Sequence, residues 1–110
     1  MATALYKLEF YVPESHLEVV KSALFAAGAG RVGAYDSCAW QTLGQGQYRP
    51  LTGSSPHQGE AGKIEKIREY KVEMVCERES ASGVITALLA SHPYEEVAYS
   101  LMAIETGVSS

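Results

Sequence analysis

Cysteine is scarce in this chain. Cys38 and Cys76 are the only two among 110 residues, too few for a disulfide scaffold, and in a reducing compartment both are expected to stay thiols. Basic residues are also few, nine against thirteen acidic ones for a net charge of −4. That balance offers no electrostatic footprint for DNA or RNA, so nucleic acid is not an expected partner. No apolar run approaches the length that spans a bilayer, and Met1-Ala2-Thr3-Ala4 opens without the basic stretch and apolar core of a secretory signal. The expectation is a cytoplasmic protein with no membrane association. Three histidines, His16, His57 and His92, limit any metal site to few imidazoles.

What the chain does have is regular patterning. Hydrophobic residues make up 46% and charged residues 20%, an ordinary globular balance, and the length suits one domain over residues 1–110. From Leu5 to Val12, Tyr6, Leu8, Phe10 and Val12 alternate with Lys7 and Glu9, the period of a half-buried strand. Pro13 ends it. Ser15 and Glu18 have the spacing of a capping box for a helix to Ala27, with Leu17, Val20 and Leu24 as its buried stripe and Gly28 as its stop.

A second strand is expected over Tyr35 to Leu43. Five glycines with Pro50 and Pro56 then predict a long loop over residues 44–63, with at most a short extended piece at Gln47 to Leu51. Tyr70, Val72, Met74 and Cys76 alternate as a third strand. Ser80 or Ser82 caps a second helix whose stripe is Val84, Ile85, Leu88 and Leu89. His92 precedes Pro93 and closes that helix, and Val97 to Ile104 forms a fourth strand. The order βαββαβ, with right-handed crossovers, predicts an α+β ferredoxin-like sandwich: an antiparallel four-stranded sheet with both helices on one face.

The stretches Gly28-Ala29-Gly30-Arg31-Val32-Gly33-Ala34-Tyr35-Asp36-Ser37-Cys38, Gly44-Gln45-Gly46-Gln47-Tyr48-Arg49-Pro50, Gly59-Glu60-Ala61-Gly62 and His92-Pro93-Tyr94-Glu95-Glu96 carry a resemblance. In that order they are similar to the domain inserted in YqfO proteins of the NIF-three-like family, over about Leu5 to Glu105. The resemblance implies a fold like that of the CutA and PII proteins and, with it, a homo-oligomer, a trimer above all. The lobes that hold the family's dinuclear metal site have no counterpart in these residues, so neither that metal site nor a hydrolase or cyclohydrolase activity is carried over.

The residues that bear chemistry gather at the helix-to-strand junction. His92, Tyr94, Glu95, Glu96 and Tyr99, with Cys38, are the candidate ligand-binding set. His92 and Glu95, completed by His57 or by another subunit, are the alternative set for a divalent metal such as zinc, copper or manganese. The plainer reading makes His92 a helix terminus and Tyr94 a packed lid. If residues 95 and 96 are extended, only one of the two glutamates enters a given site. Cys38 has no visible activating base, and Cys38 and Cys76 are expected as neighbours through pairing of the second and third strands. Tyr6, Tyr70, Tyr94 and Tyr99 either line an aromatic pocket or pack as core and interface residues. His16 is expected at the surface. Gly28-x-Gly30-x-x-Gly33 follows a helix and so is not a dinucleotide fingerprint, while the glycine-rich loop could hold a phosphate on its backbone amides. No nucleophile and base can be paired, so the sequence predicts a non-enzymatic module that binds a small ligand or partner protein between subunits, with no certain cofactor.

Overall fold

The structure, a computed structural model, describes residues 4–106. Six main elements follow in order: β1 (Leu5–Pro13), α1 (Leu17–Ala26), β2 (Trp40–Tyr48), β3 (Glu65–Glu77), α2 (Ala81–Ser91) and β4 (Tyr99–Ile104). The sheet runs β2-β3-β1-β4, with every neighbouring pair antiparallel. This is the ferredoxin-like arrangement the element order predicts.

Strand alternation sets the core. On β1, Leu8, Phe10 and Val12 are fully buried, and their β3 partners include Met74 and Val72. Leu17, Val20 and Leu24 of α1, with Ala81, Val84 and Leu88 of α2, close over them in one apolar cluster, as period-3.6 stripes must. Leu89, expected in that stripe, is half exposed, and Ala81, one turn before Val84, is buried in it instead. The opposite parity carries charge: Lys7 pairs with Glu73 at 2.7 Å, and Glu9 lies 3.8 Å from both Lys7 and Lys71.

Several boundaries differ from the sequence expectations. Ser15 forms no capping box; it sits in a 3-10 turn, Glu14–His16, and its hydroxyl meets His16 Nδ1 at 2.8 Å. Neither Ser80 nor Ser82 caps α2 through its side chain; a second 3-10 turn, Arg78–Ser80, leads into that helix. The C-terminus of α1 is as expected. Gly28 at φ 107° allows its amide to reach Phe25 O and that of Ala29 to reach Leu24 O, both at 3.0 Å, the paired bonds of a Schellman cap.

The largest shift is in β2, which starts at Trp40 and continues through Gly44 and Gly46 to Tyr48, paired throughout with β3. The loop expected over residues 44–63 therefore occupies residues 49–64. Glycine lowers strand propensity but leaves the backbone amide and carbonyl free to pair, and a 13-residue β3 supplies the partner. Cys38 consequently precedes the strand instead of lying within it.

Gly30 holds the turn after α1 against the sheet. Its amide donates to Val75 O at 2.8 Å and its carbonyl accepts from Cys38 N at 2.9 Å. With φ at 78°, an added Cβ would lie 2.8 Å from the Phe25 ring and 2.9 Å from Cys38 O. Gly33 also has positive φ, but a Cβ there meets nothing within 4 Å. Gly33→Ala should therefore lose about 1 kcal/mol from backbone conformation alone. Gly30→Ala should lose about 2–4 kcal/mol, because overpacking adds to that cost. Urea unfolding of the two variants measures the difference, and equal losses would mean the turn yields freely.

Candidate functional site

One end of the sheet gathers four segments. Antiparallel pairing puts the end of β1, the end of β2 and the first half of β3 there, with Pro13 opposite Glu69 and Tyr48 opposite Glu65. The linker 92–98 from α2 to β4 crosses the same end, because β4 begins only at Tyr99, opposite Phe10. Loop 49–64 folds back beside it. Gly62 N donates to Pro50 O at 2.8 Å, the Tyr48 hydroxyl donates to Gln58 O, and Ser55 N donates to Glu95 Oε1 at 3.0 Å. Loop and linker thereby border an open-mouthed cavity of about 630 Å³, within the roughly 300–1,000 Å³ of small-molecule sites.

His92 pins the linker. Pro93 forces it out of the helix, to φ −79° and ψ 139°, and its buried ring turns toward β1. Nε2 lies 2.6 Å from Tyr11 O, and Nδ1 accepts from Tyr94 N at 3.1 Å. A carbonyl only accepts and an amide only donates, so the ring is neutral with its proton on Nε2. Burial holds its pKa below the ordinary imidazole value; the Tyr11 carbonyl opposes that shift, and His16 and His57 add to it.

Tyr94 stands at the centre of the aromatic wall. Its ring centroid is 4.7 Å from His92, 6.1 Å from His57 and 6.3 Å from Tyr48. Its hydroxyl donates to Glu69 Oε2 at 3.1 Å. Glu69 in turn occupies the space that a side chain at position 46 would need, which Gly46 leaves open. Burial, and then the nearby Glu69 carboxylate, raise the Tyr94 phenol far above the normal range. Tyr48 is raised by burial, with Glu65 and Glu69 contributing. Both phenols stay protonated, and each gives its one O–H to the partner already named, Gln58 O for Tyr48 and Glu69 for Tyr94.

Of the residues expected from the sequence, Tyr94, Glu95, Glu96 and His57 line the cavity, and His92 packs against Tyr94. Both glutamates line it because residues 92–98 lie outside any strand, so the alternation that would have separated them does not apply. Tyr99 is on β4 and outside the lining, as is Cys38, whose thiol donates to Asp36 O at 3.5 Å. Tyr6 and Tyr70 pack against the apolar core. Cys76 is buried among apolar side chains, and burial raises its thiol pKa. His16 is half-buried, edge-on to His57 at 5.6 Å. Among the described residues no three His, Cys, Asp or Glu side chains are grouped to hold a metal ion, and both His92 ring nitrogens already have partners. Within the single chain, His92, Glu95 and His57 are therefore not grouped as a three-ligand set. The cavity also uses Tyr11, Tyr48, Arg49 and Glu69, none of which stood out in the sequence as site residues.

Architecture and strand order make this a ferredoxin-like domain of the CutA/PII type. CutA from Archaeoglobus fulgidus, described as a periplasmic divalent cation tolerance protein, superposes with a TM-score of 0.66 at 17% identity over 94% of this chain and 87% of its own, which speaks to fold alone. A Bacillus cereus protein related to NIF3 superposes with a TM-score of 0.81 at 34% identity, over 94% of this chain and 26% of its own. The GTP cyclohydrolase 1 type 2 homolog of Bacillus subtilis is 44% identical over 101 residues, 92% of this chain. No family model matches the chain. The chain is a relative of the CutA/PII-like segment of the YqfO, or NIF-three-like, proteins, and spans about a quarter of the length of the curated relatives it matches.

The His92 clamp has a pH signature. Its folded pKa lies below the ordinary value of 6.5, so the unfolded chain takes up the proton first. The stability contributed by neutral His92 is complete above that value and is lost as pH falls through the folded pKa. His92→Ala should lower stability at pH 7.5 by about 1–3 kcal/mol through the stranded backbone groups. It should also flatten the decline between pH 7 and pH 5. Urea unfolding at several pH values tests this, and an unchanged slope would assign the decline to another group.

Proposed function

We propose that this chain is a non-enzymatic module that assembles into a homotrimer and binds a small ligand in the cavity between loop 49–64 and linker 92–98. The open-mouthed cavity, walled by Tyr11, Tyr48 and Tyr94, is the observation that carries this reading. Aromatic and polar groups converging on one concavity are the usual makeup of a binding site.

No reaction is assigned to the lining. Among its described residues there is no cysteine. The Ser54 hydroxyl is committed to Leu51 O at 2.7 Å, and the neighbouring His92 has no free nitrogen to act as a base. The cyclohydrolase name belongs to relatives more than three times as long, and their activity is not proposed for this domain.

Assembly is supported by the outer strand. β2 has no fully buried residue along its nine, and it presents Trp40 at 69% and Leu43 at 46% exposure. A long, exposed edge bearing large apolar side chains calls for a covering partner. The shape agrees, since the radius of gyration is 15.3 Å against roughly 13 Å for a compact domain of this length. The β2–β3 hairpin extends past β1 as an arm, suited to reach a neighbouring copy.

Native mass spectrometry of freshly purified protein should give a trimer, and Trp40→Glu with Leu43→Glu should convert it to a folded monomer. A wild-type monomer would remove the assembly from this proposal.

A further inference from the structure

The charges around the cavity are unbalanced. Its lining holds three carboxylates, Glu69, Glu95 and Glu96, against one guanidinium, Arg49, and no lysine. None of the three carboxylates belongs to an ion pair among the described residues. Glu69 is held by the Tyr94 hydroxyl and Glu95 by Ser55 N–H; both donors are neutral and leave the charge in place. The same field reaches the walls, where Glu69 helps to raise the phenols of Tyr48 and Tyr94.

The rings add to this. Tyr11, Tyr48 and Tyr94 border the cavity, and phenol faces attract a cation, above all one that sheds its water cheaply. A small hard metal ion prefers several oxygens close together, and no such grouping is present among the described residues. A nucleoside triphosphate would set its phosphates against the three carboxylates. Resting on the reading of this cavity as a ligand site, we propose that its ligand is an organic cation, an ammonium or guanidinium group borne on a flat or apolar body. The body lies against the tyrosines, and the charged head faces Glu95 and Glu96 at the exposed rim.

The test uses four probes: 2-phenylethylammonium, 2-phenylethanol, phenylacetate and GTP. Each is titrated at low salt into the full chain, with the amide resonances of Ser55, Tyr94 and Glu95 followed by NMR. The ammonium probe is expected to bind at least about tenfold more tightly than the isosteric alcohol, with phenylacetate and GTP weaker still. Glu95→Gln with Glu96→Gln should abolish that preference, leave alcohol binding within about twofold and keep the spectrum dispersed. Equal binding of ammonium and alcohol, tighter binding of phenylacetate or GTP, or a preference that survives the double substitution would each overturn the cation assignment and leave the cavity as a ligand site. If no probe shifts these resonances, both readings fall.

Discussion

The register between β1 and β3, from Leu5 opposite Glu77 to Pro13 opposite Glu69, determines where every other part of this domain can lie. It leaves β3 running four residues past the end of β1, and the overhang is the surface on which β2 finishes and loop 49–64 turns. Because β4 pairs with β1 only as far as Phe10, the linker before it must cross the open end of the sheet. The cavity is therefore a product of unequal strand lengths, closed by two connections that meet at Ser55 and Glu95.

Within that frame His92 converts a chain direction into a wall. Pro93 denies it a helical backbone, burial keeps it neutral, and a neutral imidazole alone can donate to Tyr11 O while accepting from Tyr94 N. This one residue ties the end of α2 to β1 and sets the first backbone group of the linker. The resemblance to CutA/PII folds and the kinship with NIF-three-like proteins locate the domain among known architectures. The clamp and the carboxylates around it are properties of these particular side chains.

Much of the fold was legible because period-2 and period-3.6 patterns report directly on which side faces the core. Leu8, Phe10 and Val12, and Leu17, Val20 and Leu24, are buried as their spacing predicts. The misplaced end of β2 has a plain cause. Gly44 and Gly46 look like loop residues because propensity counts side chains, whereas strand pairing is a matter between backbones and was decided by the length of β3. The site was half legible: a cluster such as Tyr94-Glu95-Glu96 is contiguous, while Tyr11, Tyr48 and Glu69 join it only through register, which alternation does not convey. Tyr48 and Arg49 did lie within a stretch shared with the NIF-three-like proteins, and that was the one sequence signal pointing to them.

Gly46 has a wider consequence. It does not line the cavity, yet its missing side chain is what lets the Glu69 carboxylate lie flat across the sheet and receive the Tyr94 hydroxyl. Any larger residue there would evict Glu69 and alter the charge and posture of the wall without itself lining the cavity. Position 46 thus acts as a remote tuning point: over evolutionary drift or in deliberate redesign, a change at an outwardly featureless strand glycine would be enough to reshape the cavity wall.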